Sequence, residues 1–335
     1  MIRAGLVGFG LAGSVFHAPL IRASGRMELT GILTSREAPM RVHSLNELIE
    51  RSELVAVASP NQTHFPIAKA ALEAGRHVVV DKPFAVTVEE ADELIALAER
   101  QKRVLTVFHN RRWDSDFLTV RDILPRLGEV MLFEAHWDRF RPQIKQGWRE
   151  QPEPGSGLFS DLGPHLVDQA LQLFGMPEGV SADIGIQRAK AAVDDYFDVT
   201  FHYGERRVCL RSSSLIAAPR ARFAVHGTGG SYLKHGLDPQ EAKLKEGMDP
   251  RDPAFGVDSV EGTFSTPDNP MESVPTHAGN WRAFYDAVAD AILDGAPPPV
   301  APRDAREGLA LISLARQSAK LGQRLPVPAA SSREA

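Results

Sequence analysis

Cysteine is nearly missing from this chain. The one thiol in 335 residues, Cys209, lies in the apolar run Val208-Cys209-Leu210, which excludes an intrachain disulfide and reads as a packed side chain. No run of about 18 apolar residues occurs, so no membrane-spanning helix is expected. A strand-like segment begins at Ile2 without a charged leader and hydrophobic stretch ahead of it, and a cytoplasmic location is the expectation. An excess of one charge is also lacking: 38 Lys and Arg against 43 Asp and Glu leave a net charge of -5, which gives no general attraction to nucleic acid or anionic membranes. There is no internal repeat and no low-complexity block. What remains, 43% apolar and 24% charged residues, is an ordinary globular composition whose expected partner is a small molecule.

The length, about twice that of a typical domain, predicts two domains with a sizeable core. Up to residue 107, short β-branched runs (Ile2 to Val7, Met27 to Leu33, Leu54 to Ala58, His77 to Val80, Val104 to Val107) alternate with helical patterns at Leu11 to Ala23, Leu45 to Arg51, His64 to Ala74 and Val88 to Gln101. That alternation predicts a doubly wound parallel α/β half. Ser44 and Thr87 stand as N-caps, Thr87-Val88-Glu89-Glu90 as a capping box, and Gly75 as a stop. Only Glu37 to Arg41 separate the second strand's end from Val42, too few for a helical crossover, so the second helix is expected to be missing or reduced to a turn. Beyond Arg121, Glu129 to Phe140, Val180 to Gln187, Asp195 to Tyr203, Arg206 to Leu215 and Arg222 to His226 read as strands without intervening helices, hence a largely antiparallel sheet. Two amphipathic helices follow, at 280–294 and 302–321, free to pack back toward the first half. The stretches Glu246 to Ala254, Ser265 to Pro275 and Ala296 to Pro299 read as linkers. Expected boundaries are 1–120 for the first domain, 121–328 for the second and 329–335 for a frayed tail.

The first chemical signal is GLVGFGLAG, which sets Gly8, Gly10 and Gly13 directly after a strand and before a helix. Gly8 permits the tight turn, Gly10 lets backbone amides approach a pyrophosphate, Gly13 allows close packing of helix on strand, and the helix N-terminus faces the phosphates. At the end of the second strand, where an acidic residue would hold the ribose 2'-hydroxyl of NAD, the chain reads Thr34-Ser35-Arg36. Glu28 sits at the wrong end of that strand. A hydroxyl and a guanidinium suit a 2'-phosphate, so NADP is the expected cofactor and NAD the alternative. The competing reading of Arg36 is a solvated side chain.

Four segments fall in order: GFGLAG at 8–13, ASPNQTH at 58–64, Asp81-Lys82-Pro83, and Asp161-Leu162-Gly163-Pro164-His165. Together they resemble the Gfo/Idh/MocA family of NAD(P)-dependent oxidoreductases over essentially the whole chain. VFHAPL (15–20), TSR (34–36), HNRRWDSDFLTV (109–120), WRE (148–150) and DLGPHLVDQALQLFG (161–175) are more specifically similar to its NADP-dependent scyllo-inositol 2-dehydrogenase branch. The resemblance implies an N-terminal Rossmann domain, a C-terminal α+β domain with a large open, mostly antiparallel sheet, substrate binding between the domains, and homodimers or homotetramers. It implies catalytic roles for Lys82, Asp161 and His165. It places Phe9, Leu11, Ser35, Ser59, Pro60, Asn61, His64, Asp81, Pro83, Asn110 and Arg112 beside the dinucleotide with the glycines, Arg36 and Lys82. Asp81 departs from the family's usual glutamate.

The residue chemistry points the same way. Oxidising a secondary alcohol needs a base of near-neutral pKa, the property of an unperturbed imidazole such as His165. Lys82 closes an apolar parallel strand at the edge where such sheets bind ligands, where its ammonium can stabilise negative charge on oxygen. Asp161 can orient the imidazole or hold substrate. The plainer alternatives are a surface lysine, an interior histidine, and Asp161 as cap of a helix beginning near Pro164. Asp168, one turn after His165, reads equally as a buried hydrogen-bonding residue. Turn chemistry accounts for Pro60 and Asn61, with Asn61 or Thr63 capping the next helix. Asn110, Arg111, Arg112 and Trp113 follow the Val104 to Val107 strand and are expected near the nicotinamide or substrate, with a solvated basic loop as the other reading of Arg111 and Arg112. Trp113, Trp148 and Arg149 are candidates for substrate contact, an aromatic face and a guanidinium suiting a hydroxylated ring. No metal is expected, since the pairing of Asp161 with His165 is explained by hydride chemistry. With the resemblance, the leading function is NADP-dependent dehydrogenation of a secondary alcohol on a cyclic polyol of the scyllo-inositol kind or on a sugar. The alternatives are an aldose or keto-sugar substrate, or a dinucleotide sensor without catalysis, against which the retained Lys82, Asp161 and His165 argue.

Overall fold

The computed structural model describes residues 1–145, 147, 150–153, 155–218 and 220–328; the expected tail at 329–335 lies outside them. The chain divides into two compact units, each assembled from separate segments: Met1–Thr119, Asp238–Ser259 and Thr276–Leu309 form unit 1, and Val120–Leu237, Val260–Pro275 and Ala310–Ala335 form unit 2.

Unit 1 is built on a parallel sheet of strands β1 (Ile2–Val7), β2 (Met27–Leu33), β3 (Arg41–Val42), β4 (Leu54–Val57), β5 (His77–Asp81) and β6 (Leu105–Phe108), in the order β3-β2-β1-β4-β5-β6. That order is the Rossmann arrangement, whose reversal point lies between β1 and β4. Burial on both faces explains why β4 and β5 are continuous apolar runs rather than alternating ones. Between β2 and β3, residues 34–40 form no helix, as the short spacing predicts. The Ser44 hydroxyl accepts from Glu47 N–H at the start of α2 (Leu45–Arg51), and Thr87 and Glu90 complete the capping box of α4 (Val88–Gln101). Between them runs α3 (His64–Glu73), whose N-cap Thr63 makes no capping bond: its hydroxyl instead donates to Pro60 C=O at 2.7 Å. The first helical segment, 11–23, is not uniform. Ala12–His17 form a wider π-turn before α1 (Ala18–Ala23), with Ala18 N–H donating to Gly13 C=O, a local widening often found beside functional groups.

Between β6 and the next helix, α5 (Ser115–Ile123), lies a 3-10 turn at Asn110–Trp113. The returning segments of unit 1 carry α7 (Gln240–Lys245) and α8 (Arg282–Leu293), and Trp281, Phe284, Tyr285 and Val288 are wholly buried in the sheet's core. Arg111 pins these segments. Its guanidinium is buried, ion-paired with Asp114 at 3.3 Å and with Glu241, and lies 4.8 Å over the Trp281 ring. The alternative reading of a solvated basic loop is ruled out for Arg111 by this burial.

Unit 2 centres on a nine-stranded sheet. In chain order its strands are β7 (Val130–His136), β8 (Gly179–Gly185), β9 (Tyr196–Tyr203), β10 (Arg206–Ser213), β11 (Phe223–Gly227), β12 (Gly230–Lys234), β13 (Gly262–Ser265), β14 (Glu272–Val274) and β15 (Leu325–Pro326). Adjacent strands run antiparallel except for the parallel pair β7 and β10. The expected linker at Ser265 to Pro275 thus contains the whole of the edge strand β14 and the last residue of β13. Helix α6 (Leu158–Phe174) packs against β9 and β10, buries Leu162, Leu166 and Val167, and sets Phe159 5.0 Å from Phe197. The last helix, α9, spans Pro302–Leu321.

Replacing Arg111 with Met would leave the buried Asp114 without its cation, while Glu241 keeps its pairing with Lys245. The expected loss is about 3–5 kcal/mol of stability, measured by urea unfolding followed through tryptophan fluorescence. A loss below 1 kcal/mol would show that the pair does not hold unit 1 together.

Candidate active site

Every predicted cofactor segment of unit 1 leaves the same edge of the parallel sheet, because each follows the carboxyl end of a strand. Gly8–Gly13 follow β1, Ser35 and Arg36 follow β2, Ser59–His64 follow β4, Asp81–Pro83 close β5, and Asn110 and Arg112 follow β6. The three glycines do different work. Gly8 has a φ of +94°, and a Cβ there would meet Ala58 O at 2.4 Å. At Gly13 a Cβ would meet Gly8 O at 2.1 Å, so the helix can approach the strand only without a side chain. At Gly10 a Cβ would meet nothing within 4 Å. Gly8 and Gly13 therefore close the turn, while Gly10 leaves open space over backbone amides, and this cradle fits a dinucleotide pyrophosphate. Phe9 is half-buried against the core, and Leu11, Ser35 and Arg36 are exposed; the backbone N–H of Arg36 donates to Thr34 Oγ1 at 3.1 Å, which shapes the turn that presents the guanidinium.

The next two loops are tied together by one buried ring. His64 is 1% exposed, and its Nδ1 lies 2.8 Å from Pro83 C=O and its Nε2 2.9 Å from Ser59 C=O. Burial pushes its pKa down, against the pull of the Asp81 charge and the two carbonyls. The neutral imidazole carries one N–H, so His64 donates to one of these carbonyls and packs its other nitrogen close to the second, filling the space between the Ser59-Pro60-Asn61 turn and the Asp81-Lys82-Pro83 turn. Asn61 is buried on its 3-10 turn. Lys82 is half-buried, follows Asp81 at the end of β5, and donates its backbone N–H to Asp81 Oδ1 at 2.9 Å. Asn110 is buried, Arg112 pairs with Asp304 at 3.1 Å, and Trp113 packs edge-on against Phe284 with centroids 5.8 Å apart. Trp148 and Arg149 lie outside the described residues.

The remaining predicted residues lie on α6 of unit 2. Asp161, His165 and Asp168, at spacings of four and three, share one face of the helix. The helix begins at Leu158, not near Pro164, so Asp161 sits in its first turn and does not cap it; the proline is accommodated inside the helix. Sequence reading misses the groups around this face. His165 is 7% exposed and stacks on Trp137 at 5.7 Å, the Arg222 guanidinium lies 5.1 Å from the Trp137 ring, and Arg139 pairs with Asp161 at 3.3 Å. Trp137 and Arg139 continue from β7, held by backbone bonds to Arg211 and Ser213 of β10. Their signal, an aromatic and a cation two residues apart at a strand's end, is visible only when the strand is known to pass α6. Asp168 is buried.

Comparison with known proteins fits this construction. Residues 2–109 match the family model described as "Oxidoreductase family, NAD-binding Rossmann fold", and residues 124–328 match "Oxidoreductase family, C-terminal alpha/beta domain". The uncharacterized oxidoreductase YdgJ of Escherichia coli K12 is 46% identical over 95% of this chain and 96% of its own. The scyllo-inositol 2-dehydrogenase (NADP(+)) IolW of Bacillus subtilis 168 is 35% identical over 95% and 94%. A crystal structure of an oxidoreductase from Bacillus cereus superposes with a TM-score of 0.90 at 31% identity, covering 98% of this chain and 99% of that one. With residues 2–109 and 124–328 both matched, the chain belongs to the Gfo/Idh/MocA family of oxidoreductases, with an NAD(P)-binding Rossmann domain.

Proposed function

We propose that this protein is an NADP-preferring dehydrogenase that oxidises a secondary alcohol of a cyclic polyol of the scyllo-inositol kind, or of a sugar. The observation that carries this reading is the position of Lys82, presented at the sheet edge that also presents the glycine cradle. When bound, the dinucleotide supplies the hydride acceptor. The protein's own groups handle the proton and the charge. Lys82 hydrogen-bonds the reacting oxygen and stabilises negative charge there. His165, held flat against Trp137, takes the hydroxyl proton. Asp161, paired with Arg139, orients the imidazole or holds a substrate hydroxyl. The exposed Arg36 after β2 meets the 2'-phosphate, a preference supported by the NADP(+) in the name of the IolW relative.

A panel of inositols and aldoses with NADP and NAD, followed by absorbance of the reduced cofactor, tests the substrate class; no turnover of any polyol or sugar overturns it. Lys82→Ala and His165→Ala are each expected to cut turnover by roughly 10²- to 10⁴-fold, and near-normal rates in both would remove them from the mechanism. Arg36→Ala is expected to weaken NADP binding much more than NAD binding in fluorescence titrations; equal effects on the two cofactors would end the 2'-phosphate assignment. The glycines separate fold from ligand. Gly10→Ala is expected to leave stability within about 0.5 kcal/mol while weakening the dinucleotide at least tenfold. Gly13→Ala is expected to lose stability as well, because its Cβ meets backbone.

A further inference from the structure

Behind Lys82 lies a buried polar chain that the roles above leave unused. His17 ends the π-turn, is 0% exposed, and packs 4.3 Å from the ring of Phe108, the residue that pairs in register with Asp81 across β5 and β6. Its Nδ1 lies 2.6 Å from the hydroxyl of Tyr285, also fully buried, on α8. Its Nε2 has no hydrogen-bond partner and faces Asp81 Oδ1 at 3.7 Å, within ion-pair range but longer than a hydrogen bond. Asp81 Oδ1 in turn accepts the backbone N–H of Lys82. A buried ring nitrogen without a bond is costly, and a neighbouring carboxylate is the kind of group that accounts for one.

The hydrogen on the ring can be assigned from chemistry. Burial and the Asp81 charge hold the Tyr285 phenol far above its ordinary pKa, so it remains an O–H donor. With Tyr285 donating to Nδ1, the proton of His17 resides on Nε2 and points at the carboxylate. The other tautomer would set a bare nitrogen against Asp81 and leave it repelled. The chain therefore runs Tyr285 O–H to His17 Nδ1, and His17 Nε2–H toward Asp81, whose Oδ1 holds the Lys82 amide. Burial pushes the Asp81 carboxyl up, but His17 and the nearby Lys82 and His64 outweigh it and hold it below its ordinary value. These four, His17, His64, Lys82 and Tyr285, are the titratable groups that face Asp81 from its own strand, the first helical segment, α3 and α8.

We propose that His17 and Tyr285 are positioning residues for Lys82, acting through Asp81: they aim and anchor the carboxylate that fixes the backbone from which the lysine projects. This rests on the reading of Lys82 as the group that meets the reacting oxygen. The full-length protein tests it with Tyr285→Phe, which removes one oxygen and keeps the ring, with Asp81→Asn, and with the two combined. Turnover in Tyr285→Phe is expected to fall roughly three- to tenfold, the scale of one hydrogen bond, with dinucleotide affinity unchanged within about twofold. In the Asp81→Asn background the same change is expected to cost nothing further, whereas a merely structural role would give additive losses and overturn the proposal. His17→Gln, which keeps an amide N–H near Asp81, is expected to retain more turnover than His17→Leu; equal losses in the two count against it. A readout independent of substrate is the ¹³C NMR titration of the Asp81 carboxyl, assigned with Asp81→Asn. Its midpoint is expected to rise in Tyr285→Phe and His17→Gln, and an unmoved midpoint in both overturns the proposal. If the wild type oxidises no polyol or sugar, the functional reading fails alone, and the carboxyl titration still decides whether the chain to Asp81 exists.

Discussion

One close approach between backbone segments governs unit 1. The carbonyl of Gly8 occupies the place where a side chain at residue 13 would stand, so the first helical segment rests directly on the turn that follows β1. From that contact follow the open space over Gly10, the π-turn that accommodates the close start, and the delivery of His17 into the core beneath β5 and β6. A larger residue at 13 would separate helix from strand and displace all three. Parallel topology does the rest: strands that all run one way deliver their following loops to one edge, so segments from 8 to 112 meet there although they are far apart in the chain.

That edge is braced by buried polar groups rather than by apolar packing alone. His64 joins two loops through carbonyl oxygens, Asp81 holds the amide that precedes the lysine side chain, and Arg111 locks the returning segments onto the turn after β6. Each of these groups is expensive to bury singly and stabilising only when its partners are in place, which makes the loops they join difficult to displace separately. Unit 2 follows a different logic. There a helix supplies acid and imidazole from one face, and a strand extension supplies the aromatic surface and the guanidinium that meet them.

Much of this architecture is legible in the chain. The capping residues Ser44 and Thr87, the continuous apolar strands and the seven residues between β2 and β3 each carry a local physical signature, because caps, two-sided burial and crossover length depend on neighbours in sequence. Where reading fails, longer-range contacts decide. Pro164 marks no helix start, since α6 begins six residues earlier and absorbs it. Thr63 looks like a cap, yet its hydroxyl turns back to Pro60. Strands β12 to β14 are short, glycine-bearing or polar, and become strands through pairing with neighbours that already exist. Arg111 lends itself to a surface reading because Glu241, which pairs with it besides Asp114, lies 130 residues away in the chain.

By itself the sequence determined the parallel half, the glycine cradle, the order of the motif segments and the residue types available for proton transfer, since these rest on periodicity, spacing and intrinsic side-chain chemistry. Only the tertiary structure decided which polar groups face one another: His17 with Tyr285 and Asp81, His64 between two carbonyls, Trp137 under His165, and Arg139 beside Asp161. The reason is that a hydrogen bond or ion pair between distant residues leaves no periodic trace along the chain; it exists only after the apolar faces have packed and brought its two ends within reach.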